Sequence, residues 1–197
     1  MDATKLQVKI FAAPGTVPPP PEAFIPIFHN WIKHRVLPEL MIDVANYAHV
    51  PKGPGVVLIG HACDTFMDEG EGRLGLLHNR KRAALGPGER LSDAFRRALH
   101  ATMLLEKEPT LSDKLRFSPN EFSFRINDRL AAPNTDATFA ALKPELDAFC
   151  ARLFESPFEL RRAGDAKSLF GVTILSPTPT TLATLLARLG GPAAPDQ

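Results

Sequence analysis

The chain has 197 residues, 44% hydrophobic and 23% charged, a balance that excludes disorder as its main state and allows a sizeable core without disulfide or metal staples. With 23 Lys and Arg against 22 Asp and Glu, the formal charge is +1. No global field therefore draws nucleic acid, an acidic substrate or an anionic membrane.

The first residues, Met1 to Phe11, lack the unbroken apolar stretch of a secretory signal. No later run approaches the roughly 18 to 20 apolar residues that cross a bilayer, so the expectation is a cytoplasmic protein with no membrane partner. Cys63 and Cys150 show no metal-type spacing and are expected as reduced, buried thiols.

From Lys5 to Phe11, Leu6, Val8 and Ile10 alternate with Lys5, Gln7 and Lys9, the period of a half-buried strand. Pro14-Gly15 ends it, and Pro18 to Pro21 form a stiff connector. Phe24, Ile27, Phe28, Trp31 and Ile32 then recur at helical spacing until Pro38. Leu40–Val50, Val56–Phe66 and Arg73–Arg80 follow as three strands of an antiparallel meander, separated by the turns 51–55 and 67–72.

Beyond the meander a unit recurs: a hairpin, a turn with a hydroxyl cap, then an amphipathic helix. Ser92, Thr135 and Thr180-Thr181 are the caps, roughly 43 to 46 residues apart. Leu115–Phe117 and Phe122–Ile126 flank the turn 118–121, and Phe158–Arg162 and Leu169–Ile174 flank Gly164-Asp165. The matching placement of two hairpins suggests a weak internal duplication. The whole order predicts an α+β protein: a largely antiparallel sheet of about eight strands, single or split in two, covered by about four helices. Residues 1–108 make a strand–helix–three-strand–helix unit. Residues 109–190 make two hairpin–helix units packed with it as one compact domain, and residues 191–197 a flexible tail. Phe24, Phe28, Trp31, Val44, Leu58, Phe95, Leu99, Phe139, Phe149, Phe170 and Val172 fall on apolar phases and are the expected core.

The meander concentrates the groups that could do chemistry. If Val50 faces Val56 and Phe66 faces Arg73, then His61 and His78 lie in one cross-strand row, with Asp43, Tyr47, Cys63 and Arg80 in neighbouring rows of the same face. Ile42, Val44, Leu58, Ala62 and Leu77 would form the opposite, helix-covered face. Two imidazoles with a carboxylate, a thiol and a guanidinium could bind a small anion, hold a transition metal or run acid/base chemistry. No HExxH or CxxC spacing selects among these, so neither metal nor cofactor is assigned. The simpler expectation places both imidazoles in a second core layer or a subunit interface.

Other features favour structural explanations. His61 and Cys63 lack an orienting third residue for nucleophilic catalysis. The acidic turn 68–72 departs from calcium-loop order and is expected as a solvated hairpin tip. The basic cluster Arg80-Lys81-Arg82, Arg90, Arg96 and Arg97 lacks the interleaved aromatics that stack on bases, in a chain with one Trp and one Tyr, which argues against nucleic-acid binding.

No complete catalytic motif occurs. The sequence therefore favours a non-catalytic binding or assembly protein that uses a sheet face or edge to contact a protein partner, a second copy of itself as a homo-oligomer, or a small ligand. The alternative is an enzyme with His61 and His78 as acid/base groups or metal ligands, Asp43 orienting one of them and Arg80 holding a small anionic substrate.

Overall fold

The computed structural model describes residues 2–51, 53–82, 85–111 and 114–192; residues 193–197 of the expected tail lie outside this set. In chain order the elements are β1 (Leu6–Ala12), α1 (Phe24–His34), β2 (Met41–Asn46), β3 (Val56–Gly60), β4 (Cys63–Asp68), β5 (Gly75–Arg80), α2 (Pro87–Lys107), β6 (Phe117–Ile126), α3 (Asp136–Phe154), β7 (Glu159–Ala163), β8 (Phe170–Leu175) and α4 (Leu182–Arg188). The eight strands form one sheet in the order β2-β3-β4-β5-β1-β6-β8-β7, and every pairing is antiparallel. β1 lies between β5 and β6, so the segments before and after Pro109 share a sheet and a core.

The alternation of β1 decides which face is covered. Leu6, Val8 and Ile10 are buried and register with Ile126, Phe124 and Phe122 on one side and, for Val8 and Ile10, with His78 and Leu76 on the other. α2 packs on β1 and β5, and α1 on β2 and β3. Phe95 of α2 sits among Phe122, Phe124 and Phe149, its ring centroid 4.7 Å from that of Phe149. Trp31 of α1 is fully enclosed beside Phe28 and donates its indole N–H to Glu108 at 3.0 Å. Of the expected core, Val44 and Phe139 are only partly buried and the rest are buried.

The strand count matches expectation through two opposite departures. Val56–Phe66 is not one strand but the hairpin β3–β4, with His61-Ala62 as its turn. Gly60 permits it: a Cβ there would lie 2.5 Å from the Cys63 carbonyl oxygen. Conversely, 115–126 is not a hairpin. Phe117–Ile126 is continuous, and the segment around Pro119, expected as a turn, is a bulge instead. Ile10 registers with Phe122 but Ala12 with Phe117, so β6 carries the extra residues there and Pro119 needs no ladder donor. One strand, not two, therefore separates α2 from α3; the second expected hairpin is present as β7–β8, but it has no match before α3.

The helix caps divide similarly. Thr135 and Thr181 accept from the N–H groups of Thr138 and Thr184 as expected. Ser92 caps nothing, because α2 begins at Pro87, whose fixed φ and missing N–H suit the first helical turn.

Candidate functional site

The structure brings together three of the six candidate residues and disperses the others. Observed pairings set Val56 opposite Asn46, not Val50, and Phe66 opposite Leu77, not Arg73. Both offsets are four residues, an even number, so side chains keep their face between β4 and β5: Cys63 pairs with Arg80 and Thr65 with His78, all toward the helices. The extra turn at 61–62 places Asp43, opposite Ile59, on the other face. His61 sits exposed in that turn, its Nε2 accepting from Arg82 at 2.9 Å. The expected cross-strand pair of His61 and His78 therefore does not form. Nor is the expected apolar face intact, since Ile42 is exposed, Ala62 is in the turn and Leu77 lies on the face without helices.

Cys63, His78 and Arg80 belong to a buried polar cluster completed by three residues that the meander did not predict. α2 supplies Asp93 and, one turn later, Arg97; the segment between α1 and β2 supplies Glu39. Arg80 Nη1 donates to Asp93 Oδ2 at 2.9 Å. Arg97 Nε donates to both Asp93 oxygens at 3.0 and 2.9 Å, and its Nη1 lies 2.9 Å from Glu39 Oε1. The result is a chain of alternating charge, Arg80–Asp93–Arg97–Glu39, with every member buried.

Burial governs the ionisation of its neighbours. It pushes the Cys63 thiol up, helped by the Glu39 carboxylate, so this is a thiol and not a thiolate. It holds His78 down to about 3, with the positive charges of Arg97 and Arg80 acting in the same direction, so the imidazole is neutral at pH 7. Glu39 Oε2, His78 Nε2 and Arg80 Nη2 are buried here without a hydrogen-bond partner among the described residues, and the Arg97 Nη1 contact with Glu39 Oε1 is an ion pair without hydrogen-bond geometry. One donor atom each from Glu39, Cys63 and His78 lie within 4.8 Å of one another.

The cluster is ill-suited to turning over a substrate from bulk water, because Cys63 and His78 are 0% and 1% exposed. Arg80, expected to hold an anion, already spends donors on Asp93 and, through Nε, on the Arg82 carbonyl at 2.8 Å. Most of the basic cluster has internal partners: Lys81 binds Asp64 Oδ1 at 2.7 Å and the Gly60 carbonyl, and Arg90 binds the Leu85 and Asp2 carbonyls, while Arg96 Nε is buried without one among the described residues. Lys81 and Arg90 thus spend donors inside the chain.

The face without helices carries its own polar centre. Lys9, expected on a solvated strand face, is 0% exposed. Its ammonium donates to Asp68 Oδ2 at 2.6 Å and to the Gly70 and Arg73 carbonyls at 2.6 and 2.8 Å. The acidic turn is thus clasped to the sheet by a buried lysine instead of standing free as a tip. Gly75 leaves the room: a Cβ there would lie 2.8 Å from Lys9 Cε. Beside it, Gln7, Asn79, Asp64 and Lys81 form a hydrogen-bonded ladder.

Apolar surface is concentrated at one sheet edge. Leu40 is 62% exposed and Ile42 57%, and Tyr47 and Val50 follow in the loop after β2. Tyr47 also lines a cleft of about 800 Å³ with Pro19, Pro21, Phe24 and Met67. β2 pairs only with β3. The Tyr47 N–H reaches the Gly55 carbonyl on that side, so by alternation the N–H of Val44 points outward. Asp43 Oδ1 accepts from it at 2.8 Å. Asp43 is thus an edge residue covering an outward amide, not a partner of His61. Asp93 and Arg97 could have been found from their spacing of four on an amphipathic helix; Glu39 carries no comparable signal.

No helix among the described residues is long and apolar enough to cross a membrane. Comparison of the chain with protein-family models, with curated proteins and with solved structures finds no match.

Proposed function

We propose that the chain is a non-catalytic assembly protein whose β2 edge pairs with the β2 edge of a second copy. The observation that carries this is the coincidence of an open sheet edge with four of the six large hydrophobic side chains found exposed among the described residues: Leu40, Ile42, Tyr47 and Val50. An open, apolar edge is a template for strand addition. A second copy suits it because the strand is self-complementary. Antiparallel pairing about a two-fold axis at Val44 sets Val44 against itself, Ile42 against Asn46 and Asp43 against Ala45, so no charge opposes a like charge. A formal charge of +1 adds little repulsion between copies. The two free, buried thiols suit a reducing compartment and support a cytoplasmic location.

Light scattering across a range of protein concentrations tests the proposal. The expected result is a mass of two chains that falls to one in Ile42→Lys, with an unchanged far-UV spectrum. A wild-type chain that stays at single-chain mass throughout, or an Ile42→Lys variant that remains dimeric, would overturn it. If a heterologous protein held the edge instead, the pure chain would be monomeric.

A further inference from the structure

The polar cluster beneath α2 has a defect that its charge chain does not explain. Arg97 holds one oxygen of Glu39, at 2.9 Å, and leaves the other, Oε2, buried without a partner. His78 Nε2 is equally enclosed and equally unpartnered. A buried carboxylate oxygen and a buried imidazole nitrogen left open each cost free energy. Both belong to residues whose donor atoms converge with the Cys63 sulfur to within 4.8 Å. We propose that Glu39, Cys63 and His78 bind a divalent transition metal of the zinc class.

The donor chemistry selects that class. Thiolate, imidazole and carboxylate together suit a borderline-soft ion, whereas magnesium and calcium favour all-oxygen sites. Tetrahedral zinc sets its donors about 3.5 Å apart, so donors that lie within 4.8 Å of one another must draw together by up to about 1.3 Å. Binding proceeds with loss of the thiol proton to solvent as the metal–sulfur bond forms. The thiolate offsets one of the ion's two charges and the Glu39 carboxylate is shared between the ion and Arg97, so the cluster gains one net positive charge while Arg80 and Asp93 keep their contact. Arg97, whose Nη1 lies 2.9 Å from Oε1 as an ion pair, leaves Oε2 for the ion and is a charged outer-shell neighbour of the kind that metal ligands ordinarily have. The ligands come from the segment before β2, from β4 and from β5, so a bound ion would fasten the approach to β2 onto the sheet. The site is enclosed, which makes the ion structural and not catalytic.

The test uses the full chain, stripped with chelator and titrated with cobalt(II) and then zinc(II). Expected are one cobalt per chain with a thiolate-to-cobalt charge-transfer band, displacement by zinc, and a melting temperature raised by about 5 to 10 °C at zinc one hundred times its dissociation constant. Cys63→Ala and Glu39→Gln should lose the band or weaken binding at least tenfold. Cys150→Ala, which removes the other buried thiol, should keep it. A folded wild-type chain that gives no charge-transfer band, a band that persists in Cys63→Ala, or one that vanishes in Cys150→Ala would overturn the proposal. The wild-type titration decides even if a variant fails to fold.

Discussion

At one edge of the sheet, β2 and its flanks present Leu40, Ile42, Tyr47 and Val50 to solvent; at the other, β7 presents Glu159 and Arg161, joined as an ion pair, and Arg162 held by Asp136 at 2.8 Å. Both strands have one neighbour and an outward row of backbone groups. Charged side chains along an edge discourage unwanted pairing because an incoming strand must desolvate them. β7 follows that rule and β2 breaks it, with one carboxylate, Asp43, folded back onto the Val44 amide. The contrast within one sheet is the reason to propose an interface at the β2 edge and none at the β7 edge.

The largest expected effect comes from removing the support behind β2. Trp31 anchors α1, which packs on β2, and Trp31→Ala should cost about 3 to 5 kcal/mol in urea unfolding. Amide exchange should quicken in β2 before β7. A loss below about 1 kcal/mol would mean that α1 does not hold this edge.

Acid should act on the same half of the sheet. The unfolded chain takes up a proton at His78 below about pH 6.5, whereas the folded metal-free chain refuses it until about pH 3. The stability tied to this group is therefore whole above pH 6.5 and lost as pH falls toward 3, with a slope of up to about 1.4 kcal/mol per pH unit. Comparing wild type with His78→Gln in urea melts across this range measures it. Identical pH slopes would contradict the buried, neutral imidazole.

At the edges themselves the effects are smaller and should be opposite in kind. Asp43→Ala frees the Val44 amide and should tighten self-association several-fold, about 1 kcal/mol, as read by sedimentation. Weaker association would mean that the carboxylate is part of the contact. Arg161→Ala on β7 should leave association unchanged and stability within about 0.5 kcal/mol, since its ion pair is exposed.

Much of this architecture is legible in the sequence because local pattern and tertiary demand agree. The alternation of Leu6, Val8 and Ile10, the helical phase of Phe24, Phe28 and Trp31, and the caps at Thr135 and Thr181 all survive folding unchanged. The failures lie where long-range packing overrules local preference. Pro119-Asn120 has turn chemistry, yet β1 and β8 pair along β6 and turn it into a bulge. Gly60 interrupts an apolar run without other punctuation, and the hairpin it permits moves His61 out of the strands. Cys63, His78 and Arg80 still met because the errors in register were even. Glu39 was invisible: its role depends on where the connection after α1 returns to the sheet. Lys9 follows the polar phase of β1, and only the returning 68–73 turn buries it.

The most direct test is residue-resolved amide hydrogen exchange at low and high protein concentration, followed along β2 and β7 together. Pairing of β2 with a second copy predicts that the outward amides of Val44 and Asn46 become more protected as concentration rises, while those of β7 do not change. Protection at Val44 and Asn46 that is independent of concentration, or protection gained equally along β7, would contradict the assignment of the β2 edge as the interface.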